Sequence, residues 1–182
     1  QEISYVDLIG NYTELIAIEE DQYRRDSLMC NDTNGCEYNC QSRFGCEYAK
    51  FYCQSPAGCN IICDSTSCNS ARIFAESPAG DIAITCKSFF ACYDMNVYIS
   101  GMNSAHLHCI GGSACHGLEI HFEEMDINSS SSVSCYDIGS CDYLRLYADG
   151  PWTQLKMYSF SRNVDVYNHY GYFESEQTIE CG

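Results

Sequence analysis

Apolar and polar residues alternate along this chain in short bursts, and the bursts recur. Three, five and seven residues after Cys46 stand Ala49, Phe51 and Cys53. The same offsets after Cys68, Cys92, Cys115 and Cys141 give Ala71, Ile73 and Ala75, then Met95, Val97 and Ile99, then Leu118, Ile120 and Phe122, then Leu144, Leu146 and Ala148. The residues between them are mostly polar or aromatic. A period of two marks a half-buried β-strand. A second, shorter strand is predicted just before each burst. Its inward residue lies two positions ahead of Cys40, Cys63, Cys86, Cys109 and Cys135, as Tyr38, Ile61, Ile84, Leu107 and Val133.

The cysteines measure the repeat. Cys40, Cys63, Cys86 and Cys109 recur at a constant step of 23; Cys135 follows after 26 and Cys181 after a further 46. Projected back at 23, Leu15 and Ala17 fall on Tyr38 and Cys40, and Leu28 and Cys30 on Phe51 and Cys53. Projected forward, Ser159 falls within one residue of the column of first cysteines. The turn Ser55–Gly58 recurs as Ser77–Gly80, with Ala75 and Asp81 in place of Cys53 and Cys59. A unit this short cannot bury a face alone, so units must stack. The expected fold is all-β: a parallel β-helix, or β-solenoid, right-handed by the crossover rule. The length of 182 residues gives about eight rungs of ~23 residues and a rod about 38 Å long. We read one domain over 1–182, with divergent rungs in 1–29, Cys-rich rungs in 30–148 and divergent rungs in 149–182.

The rungs CIGGSACHGLEI (109–120) and CYDIGSCDYLRL (135–146) resemble the cysteine-rich parallel β-helix repeats of large secreted or cell-surface proteins of protists. The likeness covers 30–148 well and the two ends weakly. It implies a fold and an extracellular setting; it does not imply a catalytic activity.

Composition narrows the setting. The 15 Cys point to an oxidising compartment. The net charge of −16 argues against nucleic acid and anionic membranes as partners and favours solubility. No apolar run reaches the length that a membrane span requires, so none is expected. A start at Gln1 suits a secreted chain whose leader has been removed. Zinc sites favour C-x2-C pairs. Here the spacing is mostly C-x5-C and repeats along the chain, which suits disulfides. Two connectivities stay open. One closes each turn: Cys30–Cys36, Cys40–Cys46, Cys53–Cys59, Cys63–Cys68, Cys86–Cys92, Cys109–Cys115 and Cys135–Cys141. The other links stacked rungs, whose spacing of about 4.8 Å also permits a bridge. We favour the first, because C-x5-C persists where the rung lengthens to 26. Cys181 is left unpaired or intermolecular.

Three sequons, at Asn11, Asn31 and Asn128, fall in equivalent turns, so one glycosylated edge is expected. Outward positions of the longer strand hold Tyr52, Phe74, Tyr98, His121 and Tyr147, beside Lys50, Arg72, Asn96, Glu119 and Arg145. This is the candidate binding face, for polysaccharide or for a lateral contact. His106 and His108 should face away from His116 and His121, so no metal or other cofactor is expected. Glu123, Glu124 and Asp126 read as a solvated acidic loop. Neither end shows an obvious cap. The expected function is that of an extracellular structural protein, a glycosylated subunit of a filament, surface appendage or matrix. It would self-associate head to tail or continue into adjacent repeats of the same chain. The alternatives are a carbohydrate- or surface-binding module and, third, a polysaccharide lyase or hydrolase.

Overall fold

The computed structural model describes residues 15–17, 25–76, 80–123, 131–148, 153–157 and 161–168. Among the described residues, fourteen strands follow one another in chain order. They are β1 (Leu15–Ala17), β2 (Ser27–Cys30), β3 (Cys36–Cys40), β4 (Lys50–Cys53), β5 (Cys59–Cys63), β6 (Arg72–Glu76) and β7 (Asp81–Cys86). The chain continues through β8 (Asn96–Ser100), β9 (Ser104–Cys109), β10 (Glu119–Glu123), β11 (Ser131–Cys135), β12 (Arg145–Ala148), β13 (Thr153–Met157) and β14 (Asp165–Asn168). The odd strands β1 to β13 form one seven-stranded sheet and the even strands β2 to β14 another, each in sequential order. Every pairing is parallel. The chain is therefore a disulfide-rich parallel β-solenoid.

Alternation explains the packing. Phe51, Ile73, Val97, Ile120 and Leu146 are register partners in the even sheet. Tyr38, Ile61, Ile84, Leu107 and Val133 are register partners in the odd sheet. All are buried. The two sheets thus turn their apolar columns toward one core, where Tyr38 meets Phe51 edge-on at 5.3 Å. That burial pushes the pKa of the Tyr38 hydroxyl up to about 12.

A third wall, without strands, closes each coil. The turn after an odd strand donates two backbone hydrogen bonds to the next turn along the axis. Cys46, Cys68, Cys92 and Cys115 donate to the carbonyls of Ser67, Ala91, Ala114 and Ser140 at 2.8–2.9 Å. Two residues on, Tyr48, Ser70, Asp94, Gly117 and Tyr143 donate to the next turn in the same way. Each of these five has positive φ, between 49° and 69°. The left-handed conformation aims the N–H along the axis, and only Gly117 adopts it without Cβ crowding. The residue before each second cysteine (Gly45, Ser67, Ala91, Ala114, Ser140) is small and buried, which lets the turns approach.

Four expectations change. The described residues hold seven strands in each sheet, against about eight rungs from length. Division by 23 counted every residue, whereas 1–14 and 169–182 lie outside the described residues. Leu15 aligns with Glu37 and Ile16 with Tyr38, one residue from the projection. Met157, not Ser159, aligns with Cys135; Ser159 itself lies outside the described residues. Lastly, Ile82, not Asp81, takes the place of Cys59. Ile82 is buried and Asp81 exposed; a one-residue slip would turn the strand inside out. The strands hold register while the turns absorb changes in length.

Candidate functional site

The outward face of the even sheet carries one column of rings. Tyr52 stacks on Phe74 at 5.1 Å, Phe74 on Tyr98 at 5.3 Å and Tyr98 on His121 at 4.8 Å. His121 stacks on Tyr147 at 4.5 Å, and Tyr147 on Tyr167 at 4.9 Å. Interplanar angles stay between 7° and 14°. The spacing follows from the parallel strands, which sit about 4.8 Å apart and hold the rings in register. Met29 precedes Tyr52 in the same column. Sequence reasoning missed Tyr167 because the last step of the column, from Tyr147 to Tyr167, is shorter than the others. No cysteine marks that contraction.

Near-parallel stacking has a chemical consequence. Each interior ring has both faces covered by its neighbours. What the interior of the column offers to solvent is ring edges and the hydroxyls of Tyr98 and Tyr147. Beside it run Ser27, Lys50, Arg72, Asn96, Glu119, Arg145 and Asp165 in register. Glu119 accepts from His121 Nε2 at 2.9 Å and pairs with Arg145 at 3.4 Å.

His106, His108 and His116 sit elsewhere. His106 and His108 point outward from the odd sheet. His106 Nδ1 lies 2.9 Å from Ser132 Oγ, and His108 Nδ1 lies 3.3 Å from the Tyr136 hydroxyl. Burial, then the neighbouring His106 charge, holds His108 below the usual imidazole range. His116 stacks on Tyr93 in the turn wall at 5.3 Å. The pairs thus face different ways, with the core between them. Among the described residues His106 bonds no carboxylate, so the Ser132–His106 contact lacks the third group that orients a nucleophile's base.

Among the described residues the cysteines close seven turns on themselves. Bridges join Cys30 to Cys36, Cys40 to Cys46, Cys53 to Cys59, Cys63 to Cys68, Cys86 to Cys92, Cys109 to Cys115 and Cys135 to Cys141. The sulfurs of Cys40, Cys46 and Cys68 all lie within 4.8 Å of one another. All three are in bridges, so they offer no thiolate to a metal. Asn31 is exposed in the turn between Cys30 and Cys36, where Asp32 Oδ1 accepts from the Asn34 N–H at 2.8 Å. Asn11, Asn128, Glu124, Asp126 and Cys181 lie outside the described residues. The pocket found among the described residues lies against the core, lined chiefly by Ile82, Ile84, Val97, Ile99, Ile120 and Phe122. No helix among the described residues is long and apolar enough to cross a membrane. No protein-family model, curated protein sequence or solved structure matches the chain.

Proposed function

We propose that this chain is an extracellular structural protein, a rigid β-solenoid segment that builds a filament, surface appendage or matrix by end-to-end stacking. The observation that carries this reading is the unbroken parallel register of both sheets over seven strands each. Every coil presents the same hydrogen-bonding edge to the next, so a coil from a second copy adds by the bonds already used inside the rod. Heterologous contacts of that kind propagate. Seven bridges suit an oxidising setting outside the cell, as does the resemblance to repeats of secreted and cell-surface proteins of protists.

Asn31, exposed in a bridged turn, is the described member of a proposed glycosylated edge. Deglycosylation with an N-glycosidase should lower the intact mass of protein made in a secretory pathway; an unchanged mass removes this part. The ladder favours a structural role over sugar binding. Sugar platforms need an open ring face, and these faces cover one another. Negative-stain imaging with a dilution series tests the main reading. Filaments support it, and a monomer stable at every concentration removes it.

A further inference from the structure

Two neighbouring bridges, Cys40–Cys46 and Cys63–Cys68, are packed more closely than the rest. Among the described residues, Cys40, Cys46 and Cys68 form the one group of three sulfurs within 4.8 Å of one another. All are buried. Cys63 and Cys68 are five residues apart, whereas Cys40 and Cys46 are six apart. The Ser67 carbonyl accepts the Cys46 N–H at 2.9 Å, as the equivalent carbonyls do in the other turns. The Ser67 hydroxyl donates to Cys68 Sγ at 3.7 Å. On the strand side, Cys40 and Cys63 are direct register partners. Parallel neighbours lie about 4.8 Å apart, inside the Cα range of a disulfide.

We propose that these four cysteines form a thiol–disulfide exchange site. It trades two bridges within turns for two bridges between coils, Cys40–Cys63 and Cys46–Cys68. A small thiolate attacks Cys63 Sγ and breaks its bond to Cys68. Cys63 is left as a mixed disulfide, and the electron pair goes to Cys68. The Ser67 hydroxyl donates to the sulfur that receives this pair. Cys68 attacks Cys46 Sγ, forming Cys46–Cys68 and releasing Cys40 as thiolate. Cys40 attacks Cys63 Sγ and expels the small thiolate. Two disulfides are broken and two formed, with no net change in electrons or protons, so the small thiol is a catalyst. The product ties one coil covalently to the next.

The variant Cys63→Ser tests the central step without any added thiol, because it leaves Cys68 free beside the Cys40–Cys46 bridge. After incubation at mildly alkaline pH, the protein is acid-quenched, alkylated and cut with trypsin and an Asp-specific protease, unreduced. Segment 44–50 then carries Cys46 alone and segment 64–72 carries Cys68 alone. The expected product, within seconds to hours, is 44–50 joined to 64–72 with Cys40 alkylated. Adding Ser67→Ala slows its appearance about tenfold. The control Cys86→Ser leaves Cys92, which belongs to no such trio, and Cys92 stays alkylatable with its neighbours' bridges intact. Should Cys63→Ser fail to fold, the natural chain in a glutathione redox buffer yields the same linked peptide. Finding Cys68 alkylated and Cys40–Cys46 intact in the folded variant, or no 44–50/64–72 peptide from the natural chain, overturns the proposal.

Discussion

Replacing His121 with alanine removes the middle of the ring column. The imidazole stacks on Tyr98 at 4.8 Å and on Tyr147 at 4.5 Å. Each aromatic pair is worth about 0.5–1.5 kcal/mol beyond burial, so two pairs give about 1–3 kcal/mol. The bond to Glu119 adds little, because both side chains are 23% exposed and such pairs contribute about 0–1 kcal/mol. We expect His121→Ala to cost about 1–3 kcal/mol. His121→Phe keeps both stacks, loses only the Glu119 contact and should cost under about 1 kcal/mol. Equilibrium guanidinium unfolding with the bridges intact, followed by circular dichroism, reads the difference as a shift in midpoint at constant slope. Equal costs for the two variants, or an alanine cost below about 0.5 kcal/mol, would refute the ladder as a stabilising element. The face would then be free for a ligand-binding role.

Three further outcomes follow from the fold. Removing one central bridge, as Cys109→Ala with Cys115→Ala, should lower stability by about 2 kcal/mol, the chain-entropy value for so small a loop; a cost near zero would mean that the turn bonds alone hold the corner. Gly58→Ala should cost about 2 kcal/mol or more by the same unfolding assay, since Gly58 has φ +90° and a Cβ there would meet the Asp81 carbonyl oxygen at 2.0 Å; wild-type stability in that variant contradicts the register of this turn. Tyr38 titrates at about 12 in the fold and near 10 unfolded. The unfolded chain therefore loses this proton first. The contribution is fully present below pH 10 and is lost as pH rises from 10 to 12, amounting to roughly 3 kcal/mol. Tyr38→Phe should flatten that part of the stability profile, and an unchanged profile would remove Tyr38 as its source.

Much of this fold was legible because the cysteines act as a ruler. Between Cys30 and Ala148 the inward columns, from Tyr38 and Phe51 through Val133 and Leu146, fall where alternation places them, and so do the outward columns. The ruler fails where it has no marks. Ile16, Met157 and Tyr167 each sit one to three residues from a projection at 23, because turns without cysteines shorten freely while strand pairing keeps register. The segment Ser77–Gly80 misled for the same reason. It follows Ser55–Gly58 by one residue less than the full repeat, so matching the turns put Asp81 where Ile82 belongs. Side-chain geometry was less visible. Alternation placed the rings on one face, but only the structure shows them near-parallel with covered faces. The closeness of the Cys68 sulfur to those of Cys40 and Cys46 is a matter of side-chain placement, which no spacing rule conveys.

The central claim is that coils of separate copies stack along the rod axis by the pairing that operates inside it. Fibre diffraction from aligned, concentrated protein tests this most directly. Strands run across the rod and repeat along it every ~4.8 Å. End-to-end assembly predicts a reflection at about 4.8 Å on the meridian, parallel to the filament axis. The same reflection on the equator would mean that the rods lie across the filament, and the stacking account would be wrong.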